Sequence, residues 1–174
     1  MNMNKAVACI CVFFSLVILI PGCGGPFSIS LGFDGPSSEM KNLLEKINEV
    51  RSTGYTCGPE YFEPAKPLVW NKKLAAAAVF HAKDMAEHGF LRHTGSDGND
   101  PGERITGAGY QWSVYAENIS QGQQTPDEAV KAWLRSTRHC RNIMNPDVEE
   151  AGAALAKSAS LRTYWTLILA APQE

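Results

Sequence analysis

Apolar residues open the chain as one block, Ala6 to Ile20, and beyond Ser38 they recur instead with the periods of helices and strands. Met40, Leu43, Leu44, Ile47 and Val50 stand at i, i+3, i+4, i+7 and i+10, with Lys41, Glu45, Lys46 and Glu49 on the other face. That spacing predicts an amphipathic helix, and Gly54 ends it. Pro59 to Pro67 reads as an irregular, proline-rich connection leading to Trp70. Asn71 is a good N-cap for an alanine-rich helix over Lys72 to His88, closed by Gly89, whose small side chains permit close packing. Thr94 to Gly109, with its run Gly-Ser-Asp-Gly-Asn-Asp-Pro-Gly, predicts a surface loop. Thr125-Pro126-Asp127-Glu128 combines a capping box, proline at N1 and an acidic first turn, so a third helix starts there with Val130, Trp133 and Leu134 as its buried stripe. Ala151 to Ala156 and Arg162 to Ala170 predict an antiparallel hairpin that closes the domain. Helices flanking a small antiparallel sheet give an α+β fold.

The opening block changes the picture of where the domain begins. MNMNK supplies a positive charge, and the 15-residue, mostly apolar run that follows falls short of the roughly 20 that span a bilayer, so residues 1–22 read as an export signal. Ile20-Pro21-Gly22-Cys23 resembles the bacterial lipobox, with Pro21 a departure at −2. An ordinary A-x-A cleavage site fits less well, because Ile20 is not small. The reading is a lipoprotein acylated at Cys23 and held in the membrane by two chains, plain secretion being the alternative. Residues 23–38, rich in Gly, Pro and Ser, then form a flexible tether, and 39–174 the domain. Gly24 at +2 is not Asp, which favours the outer membrane in a two-membrane cell.

Composition narrows the function classes. The 174 residues are 44% hydrophobic and 20% charged with a net charge of −2, enough for one packed domain and too little positive charge for nucleic-acid binding as the main activity. Of the 5 cysteines, Cys9 and Cys11 leave with the signal and Cys23 is acylated, so 5 − 3 = 2 remain. Cys57 and Cys140 then suggest one disulfide in an oxidising compartment, contributing on the order of 4 to 5 kcal/mol by closing so long a loop. The alternative, a catalytic thiolate at Cys140 beside His139, leaves Cys57 unexplained.

Four histidines could carry chemistry. His81 shares a helix face with Leu74, Ala78 and Met85 and reads as a core imidazole bonded to backbone, while His88 sits at a helix end that favours a cation. His93 follows the second helix and His139 the third, where chain ends meet. Asp97, Asn99 and Asp100 fail as a calcium loop, since Pro101 and Ala108 stand at two ligand positions, and read as an Asx-turn cluster. Neither a His-Glu-x-x-His helix nor a Gly-x-Ser-x-Gly elbow is present. Asn118-Ile119-Ser120 matches a glycosylation sequon by coincidence in a bacterial lipoprotein.

In order along the chain, His81-Ala82-Lys83-Asp84-Met85-Ala86, Phe90 to Gly98, Ala108-Gly109-Tyr110, Ala116-Glu117-Asn118-Ile119, Trp133-Leu134-Arg135-Ser136, His139 to Met144 and Tyr164-Trp165-Thr166 resemble the bacterial SCP/CAP domains, those of the cysteine-rich secretory, antigen five and pathogenesis-related proteins. The resemblance runs from about Met40 to Ala170. It implies an α-β-α sandwich with a cleft faced by two histidines and two acidic residues, where the imidazoles hold a divalent metal such as zinc. Carried over by position, these are His93, Glu117 and His139; the second acidic residue falls near Ser136, where this chain departs. Two neutral imidazoles suit zinc, and one carboxylate binds the metal or orients its water. The same three residues also suit a polar cluster that only fixes loops. Three functions stay open: a monomeric module binding a lipid, peptide or envelope ligand, which is favoured over catalysis; a metal-assisted hydrolase of peptide or cell-wall material; and a structural envelope protein with an inert cleft.

Overall fold

The computed structural model describes residues 35–174; the expected signal segment 1–22, the expected acylation site Cys23 and the expected tether up to residue 34 lie outside the described residues. Helix α1, Ser38–Thr53, is capped by Ser37, whose hydroxyl accepts a hydrogen bond from the Met40 N–H. The expectation of an irregular connection from Pro59 fails at its start. Strands β1, Tyr55–Cys57, and β2, Glu60–Phe62, form a short antiparallel hairpin. Gly58 takes φ 65° in the turn, and Pro59 beside it stands where no ladder donor is needed.

Strand β3, Val69–Trp70, leads into α2, Lys72–His88, with the expected caps: Asn71 Oδ1 accepts from the N–H groups of Lys73 and Leu74, and left-handed Gly89 returns its N–H to the Met85 carbonyl. The expected loop 94–109 contains a helix, α3, Pro101–Gly107. Its start repeats the signal recognised at Thr125: Asp100 and Glu103 cap each other's N–H groups, and Pro101 stands at N1. The Asx turn lies just upstream, where Asp97 Oδ1 accepts from the Asn99 N–H.

Strand β4, Trp112–Gln121, is followed by α4, Pro126–Arg135, and α5, Thr137–Met144. At α4 the Glu128 carboxylate accepts from the Gln124 N–H, one residue before the cap, so the capping box is displaced by one position. Strands β5, Glu150–Lys157, and β6, Thr163–Pro172, form the expected hairpin.

The four-stranded sheet runs β3-β5-β6-β4, antiparallel except for the two-pair parallel contact of β3 with β5. Central β6 is buried on both faces, and its period-2 alternation feeds two cores. Trp165, Leu167 and Leu169 pack toward α1, α4 and α5, while Ile168 and Ala170 pack toward α2 and α3. The result is an α-β-α sandwich. Contact with α2 is close enough that a Cβ on Gly152 of β5 would stand 2.0 Å from the Ala75 backbone nitrogen, so glycine is required there.

Two devices fix α5. Cys57 and Cys140 form the disulfide, both fully buried, with Cα atoms 5.5 Å apart. Cys140 is therefore structural and not a free thiolate. At the other end the buried Arg51 guanidinium donates to the carbonyls of Lys66, Ile143, Asn145 and Val148 at 2.7–3.3 Å.

Candidate functional site

Strand β4 is an edge of the sheet, and two consecutive side chains on it reach opposite layers. Glu117 lies opposite Ile168, on the α2 and α3 face, and Asn118 opposite Leu167, on the α5 face. The layers therefore meet at this edge, where the site forms.

On the first face Glu117, whose side chain is 2% exposed, uses both carboxylate oxygens. Oε1 accepts from His93 Nδ1 at 2.7 Å, and Oε2 accepts from Arg104 Nη2 at 2.8 Å. Burial of a carboxylate is costly unless it is paired and hydrogen-bonded, and the guanidinium of α3 does both. Arg104 also donates to the carbonyls of His93 and Asn99, so one side chain fixes Glu117 and the loop that carries His93. Behind them His81 is fully buried, as expected of a core imidazole: Nε2 donates to the Arg92 carbonyl at 2.9 Å and lies 3.8 Å from Glu117 Oε1. Its Nδ1 has no hydrogen-bond partner. Desolvation pushes the His81 pKa down despite the nearby Glu117 charge.

On the second face Asn118 Nδ2 donates to the His139 carbonyl at 2.9 Å, and Asn142 Nδ2 donates to Asn118 Oδ1 at 2.8 Å. These amides clamp α5 onto β4. His139 follows the expected third helix, α4, and stands in the first turn of a further helix, α5, with its N–H 3.5 Å from the Ser136 hydroxyl that caps it. Burial, then the neighbouring His93 and Arg138, hold the His139 pKa below its usual value.

His93, with a side chain 32% exposed, joins the two halves. Its Nε2 stands 3.2 Å from Arg138 Nη2. An arginine only donates, so Nε2 accepts and the ring proton sits on Nδ1, facing Glu117.

The structure thus joins His93 and Glu117 directly, with His139 close enough to feel both His93 and Arg138. Among the described residues no group of three or more His, Cys, Asp or Glu side chains is placed to hold a metal ion. His88 pairs with Asp84 at 2.9 Å toward the C-terminal end of α2, in a cluster tied to Ser96 rather than to Glu117. There burial acts to raise the Asp84 carboxyl, but two hydrogen bonds from Ser96 and the nearby His88 and His81 outweigh it and hold it low.

Sequence reasoning missed Arg104, Arg138 and Asn142. The partners of Arg104 and Arg138 lie far off in the chain, so local spacing carries no signal for either. Two surface depressions lie elsewhere. An apolar groove of about 560 Å³ is walled by Met40, Trp70, Ala76, Val79 and Leu155, and a depression of about 370 Å³ by Trp112 and Tyr115 with Asp100 and Glu103; neither includes His93, Glu117 or His139.

The profile of the cysteine-rich secretory protein family, CAP, matches residues 44–169. The uncharacterized protein YkwD of Bacillus subtilis is 33% identical over 130 residues, which is 75% of this chain and 46% of YkwD. The uncharacterized membrane protein YlbC of the same organism is 25% identical over 99 residues, 57% of this chain and 27% of YlbC. The chain therefore spans less than half the length of these relatives. An outer surface protein of Borrelia burgdorferi shares the fold with TM-score 0.67 and 21% identity, over 78% of this chain and 93% of that one. So does NaASP2, solved with Zn2+, at TM-score 0.56 and 16% identity, over 78% and 81% of the two chains.

Proposed function

The chain belongs to the cysteine-rich secretory protein (CAP) family, and from that premise we propose that it is an exported lipoprotein whose domain binds a ligand at the mouth between His93 and His139. The anchor is acylated Cys23, and the ligand is a lipid, peptide or other envelope component. Export draws support from the signal-like residues 1–22, the buried disulfide and a fold shared with an outer surface protein.

The observation that carries binding over turnover is the placement of Glu117. Its side chain is 2% exposed, with Oε1 held by His93 and Oε2 by Arg104, so the one acidic residue of the cleft is sealed behind the His93 ring rather than presented to a water at the mouth. Its work is to orient: it fixes the His93 ring and turns Nε2 to the mouth.

The residues fit a divalent metal such as zinc as a pair of imidazoles, His93 Nε2 and His139, with Glu117 behind the first ring rather than on the ion. When bound, the metal would supply a positive centre for an oxygen of the ligand. The chain's own residues hold the rings: Glu117 and Arg104 set His93, and Asn118 and Asn142 set the helix of His139. A metal-assisted hydrolase is the second reading; the 2.7 Å contact of His93 with Glu117 favours it, because that pairing raises the basicity of a ring nitrogen.

The test is a calorimetric titration of the chain with zinc chloride near neutral pH, beside a His93→Ala, His139→Ala double variant. Stoichiometric binding lost in the variant is the expected result. No binding, with a variant that is merely less stable, would make the cluster structural.

A further inference from the structure

On the reading that His93 and His139 receive a divalent ion, we infer that Arg138 is a gate built into the chain: its guanidinium occupies the face of His93 Nε2 that the ion needs, and the ion enters only when Arg138 swings away. The contact is direct, Nη2 to Nε2 at 3.2 Å. His93 has no second nitrogen to offer, because Nδ1 is committed to Glu117 at 2.7 Å. Both hydrogen-bonding positions of the ring are therefore closed from within the chain.

Three features make Arg138 a movable occupant rather than a strut. Its position on α5 is exposed, in contrast to Arg104, which is buried on the other side of Glu117. Among the described residues no carboxylate pairs with Arg138, whereas its neighbour Arg141 is tied to Glu60 at 2.9 Å. Its one hydrogen bond goes to an imidazole nitrogen, a neutral acceptor that holds a guanidinium less firmly than a carboxylate does.

Charge strengthens the closure. The Glu117 carboxylate is matched by Arg104, so the net charge that Arg138 adds to the mouth is positive. A dication arriving at Nε2 meets this charge at close range unless the arm moves out. An anionic group on a ligand would pair with Arg138 and draw it away from the ring, so a carboxylate or phosphate is the chemistry that opens the site.

The experiment titrates zinc chloride calorimetrically into the full chain carrying Arg138, Arg138→Ala, Arg138→Lys, or Arg138→Ala with His93→Ala, at one pH and in buffer free of phosphate and carboxylate. Arg138→Ala is expected to bind zinc about tenfold tighter than the parent, since a unit charge a few ångströms from a dication is worth about that much near water. Arg138→Lys stays near the parent, and His93→Ala abolishes the gain. Thermal melting of the singly substituted chains is unchanged, because the side chain is exposed. Equal zinc affinity in the parent and Arg138→Ala overturns the gate and leaves the metal reading standing. No binding in either chain overturns both.

Discussion

Two arginines are buried in this protein, and what faces each of them decides what it does. Among the described residues Arg51 meets only backbone: four carbonyls from the segments around Lys66, Ile143, Asn145 and Val148 converge on it, with no carboxylate among these partners. Arg104 meets two carbonyls and the Glu117 carboxylate. The first is a clamp that closes the open C-terminal carbonyls of α5 and ties them to the connection after β2. The second is a counter-ion to a buried carboxylate, and that carboxylate orients His93. Desolvation lowers the Arg51 pKa, the mark of a cation held only by dipoles. Equal burial therefore serves stability in one place and a site in the other.

The largest effect should come from Arg51→Met. Four carbonyls, those of Ile143 and Val148 buried, would lose a charged donor, costing on the order of 4 kcal/mol. Urea unfolding measures it, and in the chain that remains folded the geometry at His93 should be untouched. A loss below about 1 kcal/mol would show that the clamp is ornamental.

Glu117→Gln sharpens the contrast. The shape is kept, but Arg104 is left without its charge partner, a cost of about 2 to 3 kcal/mol. Unlike the clamp variant, it should also weaken zinc binding, by roughly 10- to 100-fold, since outer partners of a metal-binding imidazole carry that much. Calorimetry on both variants separates the two arginines: a Glu117→Gln chain that is less stable yet binds zinc as before would assign Glu117 to stability alone.

The smallest effect is the response to pH. His81 and His139 both have folded pKa values depressed from 6.5, by desolvation first. For a histidine this means the unfolded chain takes up protons before the folded one, so stability is complete above about 6.5 and falls as the pH drops through that value toward the lower folded pKa. Glu117, Arg104 and Asp84 face His81, and His93 and Arg138 face His139. Melting temperature should therefore decline with acidification, and His81→Gln should flatten part of the slope. A slope of unchanged steepness would place the titration elsewhere.

How much of this was legible in the sequence depended on how local the cause was. The caps of α2 at Asn71 and Gly89 and the hairpin of β5 with β6 are written in neighbouring residues, and they could be read. So could the disulfide, from cysteine arithmetic alone. Helix α3 was also written locally, in Asp100-Pro101 and Glu103, but the surrounding glycines and asparagines masked it. Helix α5 was hidden because its stability is tertiary: the Cys140 disulfide, the Asn118 amide and Arg51 hold eight residues that would be marginal alone. Within the site, His93, Glu117 and His139 were found through resemblance to a family, whereas Arg104 and Arg138 act across 13 and 45 residues of chain, and no pattern of spacing announces such a partner.

The central claim is that Glu117, neutralised by Arg104, holds His93 with its proton on Nδ1 and its Nε2 lone pair toward the mouth. Long-range proton–nitrogen NMR on 15N-histidine-labelled chain, at a pH where the ring is neutral, tests it most directly. The account predicts a protonated Nδ1 and an unprotonated Nε2 for His93, lost in Glu117→Gln. A ring with its proton on Nε2, or one indifferent to Glu117→Gln, would contradict it.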